Sequence, residues 1–77
     1  MTTKEDLILE IGMNIDSVLR EYGMTQGELA DEIGVSRQLI NAYIRGERMP
    51  TIINLINIAY VLECDISELI MVDDFVI

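Results

Sequence analysis

An all-α fold, a compact bundle of five short helices, is predicted by three features of the sequence. Apolar residues recur at every third or fourth position along most of the chain. Capping residues and glycines punctuate that pattern at short intervals, as helix starts and stops do. Strand-like runs are nearly absent, apart from the apolar tail "MVDDFVI" at residues 71–77.

The first helix is predicted over residues 5–22, where Leu7, Ile8, Ile11, Ile15, Val18, Leu19 and Tyr22 share one face. Gly23 reads as its C-terminal stop. Gly12, inside the pattern, weakens the first turns by about 1 kcal/mol. Thr25 and Glu28 make a capping box that opens a second helix, and Gly34 closes it after two turns. Ser36 caps a third helix that runs to about Arg45 and stops at Gly46. Pro50 blocks continuation, and Thr51 caps a fourth helix to about Glu63. Asp65 and Glu68 form a further box, opening a short fifth helix to about Met71. No linker, repeat or low-complexity segment interrupts residues 1–77, so one domain is expected.

Size and composition exclude several functions. A chain of 77 residues lies near the lower limit at which a core alone holds a fold, and 51% apolar residues suffice for such a core. One cysteine allows no internal disulfide. With no histidine, the usual nitrogen and sulfur metal sites and the commonest general base are missing, so no metal, cofactor or enzymatic activity is expected. The N-terminal "MTTKEDLILEIG" places acids where a signal peptide needs basic residues. The most apolar stretch, "TIINLINIAYVL", is broken by Asn54 and Asn57 and is too short to span a bilayer. A soluble, cytoplasmic protein is the expectation.

Charge is segregated. The chain holds 14 acidic and 5 basic residues, net −9. Residues 36–51 contain three arginines and one glutamate, net +2, which leaves two basic and thirteen acidic residues, net −11, elsewhere. An acidic protein that gathers Arg37, Arg45 and Arg48 in one segment has one anion-facing patch on a repelling body.

Arg37 and Arg45 of that patch lie in "QGELADEIGVSRQLINAYIR", residues 26–45, which meets the demands of a helix-turn-helix. Ala30 is small where two helices cross closely, and Gly34 can take the positive φ of the turn. Leu29, Ile33, Val35, Ile40 and Tyr43 have the spacing to knit both helices to a core. The outward face of the second of these helices begins Ser36, Arg37, Gln38 and continues at Asn41 and Ala42. Arginine can bond guanine bidentately, Gln or Asn can pair with adenine, and a methyl group can touch thymine.

The stretch "TQGELADEIGVSRQLINAYIRGERMPT", followed by "NLINIAYVLECDISELI", resembles the Cro/C1-type (Xre-like) helix-turn-helix family of bacterial and phage transcriptional regulators. The resemblance covers roughly residues 11–70. It implies a lambda-repressor-like DNA-binding domain that recognises a double-stranded DNA operator as a homodimer. It further implies that Arg37, Gln38, Asn41 and Ala42 read bases in the major groove. Gln26, Ser36, Arg45, Gly46 and Arg48 fall where the family contacts the phosphate backbone. Two departures stand out. The family commonly has an arginine late in its first helix paired with a glutamate near the end of its third, and these positions are Leu19 and Ile44 here. Both have become aliphatic, a replacement that leaves no buried charge unpaired, and contact between them is expected. Glu63 stands where a glycine often ends the fourth helix, and Cys64 where a small aliphatic is usual.

Plainer readings stand beside these. Clustered arginines can be a solvated helix face, and Gln38 and Asn41 ordinary surface residues. Tyr43 reads as core rather than a stacking platform, and Cys64 as a small buried hydrophobe. Helix 4 has an inward set of Ile52, Leu55, Ile58, Ala59 and Leu62, with Ile53, Ile56 and Tyr60 to spare. The tail adds Met71, Val72, Phe75, Val76 and Ile77, and the expectation is a homodimer built from helix 5 and the tail, with part of helix 4; alternatively the tail folds back over the core. The functional expectation is a sequence-specific transcriptional regulator, a repressor. Its rival is a protein-interaction module of the same fold, antitoxin-like or an anti-regulator, whose acidic surface takes a basic partner.

Overall fold

In the computed structural model, which describes residues 1–71, five α-helices follow one another: α1 Lys4–Tyr22, α2 Gln26–Ile33, α3 Arg37–Ile44, α4 Ile52–Val61 and α5 Ile66–Ile70. Each begins at the capping residue that local chemistry favours. Thr25 accepts from the Glu28 amide at 3.1 Å while Glu28 accepts from the Thr25 amide at 2.9 Å. Ser36 and Thr51 accept from Leu39 and Asn54, each at 3.1 Å, and Glu68 accepts from the Asp65 amide at 3.0 Å. These bonds satisfy amide donors that have no partner within the helix.

The starts differ from expectation only at α1. Its first residue is Lys4, because Thr3 and Asp6 form a capping box there. The third and fourth helices end slightly sooner than expected, with Arg45 and Leu62 as their caps. Gly23, Gly34 and Gly46 all take positive φ at helix ends. Glu63 does too, at φ 54°, so the backbone keeps the left-handed turn although a side chain has replaced the usual glycine. The Tyr22 hydroxyl donates to Glu63 at 2.9 Å, which tethers that side chain to the end of α1.

Packing arranges the helices so that α1 lies against α3 and α5, α2 against α3 and α4, and α4 against α5. Ile15, Leu29, Ile40, Ile58 and Leu69, one from each helix, are completely buried and meet in a common core. Burying a side chain of this size contributes roughly 1.5–3 kcal/mol. Tyr43 belongs to the core, as its spacing predicts, and its hydroxyl accepts from Asn54 at 2.8 Å. Cys64 is half-buried against the same core, and its thiol is held protonated above its ordinary pKa by burial and by the nearby Glu68 and Asp65.

Two long-range features are new, at Gly12 and Asn14. Gly12 is where the end of α3 touches α1: a Cβ there would collide with the Tyr43 carbonyl oxygen and come within 2.7 Å of that of Ile44. The helix-weakening glycine is thus required by a close crossing. Leu19 is buried and Ile44 half-buried on the same core, but the Ile44 carbonyl meets α1 at Gly12, two turns before Leu19. Asn14 donates to the carbonyls of Leu69 and Met71 at 3.0 and 2.8 Å, satisfying acceptors at the end of α5.

Ile52 corrects an expectation. It fits the inward spacing of α4, yet it is 65% exposed, whereas Met49 of the preceding loop packs against the core and Pro50 is buried. Val72, Phe75, Val76 and Ile77, expected either in an interface or folded over the core, lie outside the described residues.

Candidate nucleic-acid interface

The site is built from the facing starts of α2 and α3. The α2 N-terminus, fixed by the Thr25 box, presents unpaired amides and the positive end of the helix dipole. Ala30 is buried where the helices cross, and the turn is locked by Val35 donating to the Ala30 carbonyl at 3.0 Å. Behind α3, Ile40 and Tyr43 are buried, so its opposite face must point to water. Arg37 and Gln38 are exposed there, and Asn41 and Ala42 are half-exposed one turn on.

These side chains are organised rather than splayed. The Asn41 side-chain amide donates to the Gln26 side-chain oxygen (Oε1) at 3.2 Å, which leaves the Gln26 side-chain N–H groups directed away from α3. The Arg37 stem runs over Gly27, with Cδ 3.9 Å from the place a Cβ would occupy. Two adjoining hollows, about 530 and 470 Å³, share Gln26, Arg37 and Asn41 in their walls. Gln38 and Glu47 complete the first, and Thr25 and Gly27 the second. All three shared residues were expected in the site from sequence.

The remaining sequence-derived candidates divide. The Ser36 oxygen is occupied as the α3 cap, with its hydroxyl proton still free to donate. Arg45 and Arg48 are exposed in the loop after α3. Gly46 supplies a turn at φ 72°, and its amide is already used on the Tyr43 carbonyl at 3.1 Å, so its contribution is shape rather than a free donor. Sequence reasoning missed Glu47. Its carboxylate lies 3.5 Å from Arg45 and faces the same hollow as Arg37 and Gln38. The signal was present, since Glu47 is the one acid among residues 36–51. Among the described residues, no group of three or more His, Cys, Asp or Glu side chains could hold a metal ion. Among those residues, no helix is long and apolar enough to cross a membrane.

The sequence model of the helix-turn-helix family (HTH_3) matches residues 15–69, from the middle of α1 to α5. The chain belongs to that family. Within it, this helix-turn-helix protein is of the Cro/C1 type. It is 36% identical over 64 residues to the uncharacterized HTH-type transcriptional regulator y4dJ of Sinorhizobium fredii, a match covering 83% of each chain. It is 49% identical over 45 residues to the cryptic phage CTXphi transcriptional repressor RstR of Vibrio cholerae. That match spans 58% of this chain and 40% of the Vibrio protein, less than half its length. Among solved structures, the SOS-response transcriptional repressor LexA from Eubacterium rectale superposes with a TM-score of 0.83 at 26% identity, over 99% of this chain and 81% of that one. The all-helical, five-helix fold is therefore that of a DNA-binding transcription-regulator family.

Proposed function

We propose that this helix-turn-helix protein is a sequence-specific transcriptional repressor of the cytoplasm that binds duplex DNA as a homodimer, with α3 in the major groove. The observation that carries the reading is the joint presentation of Arg37, Gln38 and Asn41 on the outward face of α3, with Gln26 tied to Asn41. Arg37 and Gln38 are the principal base readers, and Asn41 has a double task. Its amide orients Gln26 toward a phosphate at the α2 N-terminus, while its remaining polar groups and the Ala42 methyl face the groove. Ser36, Arg45 and Arg48 hold the flanking phosphates, and Gly46 shapes the loop that carries the two arginines. Two subunits on a closed two-fold engage half-sites about one helical turn apart, ~34 Å.

Selection from a random duplex library, with wild type and an Arg37→Ala/Gln38→Ala variant side by side, tests this. The expected result is a two-fold motif enriched by wild type and lost with the variant. Absence of enrichment at low salt would refute DNA reading and return the search to a basic protein partner.

A further inference from the structure

Glu47 is the one acid of the basic segment 36–51, and the backbone fixes its place. At the end of α3 the Glu47 amide donates to the Ala42 carbonyl at 2.9 Å, and the Gly46 amide to that of Tyr43 at 3.1 Å. With Gly46 at φ 72°, these two bonds make a Schellman ending, which folds the chain back against the last turn of its own helix. The residue two past the Arg45 cap is thereby returned to the side of α3 that carries Ala42. That residue is frequently apolar and packs on the helix; here it is a carboxylate.

The carboxylate has accepting capacity to spare. Its one ion pair among the described residues, to Arg45, is long at 3.5 Å, and both side chains are more than half exposed. A carboxylate offers about four lone-pair sites, so most of them face outward. The hollow of about 530 Å³ that Glu47 lines has Gln26, Arg37, Gln38 and Asn41 as its other walls. All four of those side chains can donate; Glu47 alone accepts without donating.

We propose that Glu47 is a specificity-determining residue, which selects a cytosine beside the bases read by Arg37 and Gln38. The inference rests on the DNA reading proposed above. A carboxylate on that surface repels phosphates, the N7 and O6 acceptors of guanine and the O4 of thymine, and it accepts from an amino group. Adenine and cytosine both present one in the major groove. Adenine sets its N7 acceptor beside the amino group, whereas cytosine N4 has no acceptor next to it on that edge. Glu47 therefore takes the cytosine N4 hydrogen and opposes the other three bases. Its repulsion of phosphates lowers affinity for every duplex, so strength is given up for discrimination.

Glu47→Gln separates selection from plain repulsion. Glutamine keeps an oxygen that accepts from cytosine, adds N–H donors that meet guanine and thymine, and sheds the charge. Selection from a random duplex library should give wild type and variant the same bases at the positions that Arg37→Ala/Gln38→Ala loses. At one adjacent position per half-site, wild type should require cytosine and the variant should accept several bases. By fluorescence anisotropy, the preference for the operator over a duplex with that cytosine changed to guanine should fall about tenfold in the variant. Arg45→Ala at low salt should keep the cytosine; its loss there would assign the position to Arg45 and overturn the proposal. A motif identical in wild type and Glu47→Gln also overturns it, leaving Glu47 a repelling charge alone. No motif from wild type would instead remove the DNA reading itself, and this inference with it.

Discussion

Gly12 sits inside α1 and Gly27 in the first turn of α2, and intrinsic propensity alone would rank alanine above glycine by about 1 kcal/mol in a helix interior and by less in a first turn. Their surroundings separate them. A methyl at Gly12 strikes backbone carbonyls of α3 that cannot move without shifting the helix, whereas at Gly27 it makes ordinary contact with the flexible Arg37 stem. Gly12→Ala should therefore destabilise the protein by about 3 kcal/mol, and Gly27→Ala should stabilise it by up to about 1 kcal/mol. Urea unfolding of the two variants beside wild type checks both signs. Glu28 allows a second prediction. The Thr25 amide and hydroxyl beside it hold its carboxyl below the ordinary value, so its folded pKa lies under its unfolded one. Its contribution is then fully present above the unfolded pKa and is lost as pH falls through the folded pKa. The stability gap between wild type and Glu28→Gln should be constant above about pH 5 and shrink below about pH 4. Thermal melts across that range read it directly.

Helix starts were legible in the sequence because caps are local: Thr25 with Glu28, Ser36, Thr51 and Asp65 with Glu68 each act within three residues of themselves. Apart from the local Thr3–Asp6 box, what was not legible joins distant parts of the chain. Asn14 reaches α5 across 55 positions, and Asn54 reaches Tyr43 from the next helix; neither asparagine has a local signature that names its partner. Ile52 was misplaced for a related reason, since helical spacing gives a direction but not whether anything stands in that direction. At the candidate site, Gln26, Arg37 and Asn41 came from the family resemblance of residues 26–45, whereas the opposing position of Glu47 depended on how the loop folds back. The pair of aliphatic departures gives an element-scale test of how α1 holds α3. Ile44→Glu alone should cost about 2–3 kcal/mol, because it half-buries a carboxylate against the apolar core. Adding Leu19→Arg should recover about 1 kcal/mol or more through a new ion pair, measured as a double-mutant cycle. Strict additivity would show that the two positions do not communicate.

Over the whole molecule, net charge works against the proposed ligand, and the arginine edge must act at short range. Among the described residues Arg45 is partly neutralised by Glu47, while Arg20, the other paired arginine, bonds Asp16 at 3.0 Å on α1. DNA affinity should fall with salt, with a shallow slope for so few cations. Glu47→Gln should tighten operator binding and do so most at low salt, where repulsion is least screened. Arg48→Ala should flatten the salt slope by about one per subunit without changing the preferred sequence. Fluorescence anisotropy over a salt series, on one operator and one scrambled duplex, separates these effects. The clamp on α3 carries a last consequence. Its C-terminal end is pinned by Gly12 of α1 on one side and by Asn54 of α4 on the other, so the helix is set before any duplex arrives. As the proposed reader of DNA, a helix held in this way spends little ordering entropy on binding, and it has little capacity to adapt. When half-sites are spaced wrongly by a base pair, the strain must fall on the bending and twisting of the DNA or on the contact between subunits.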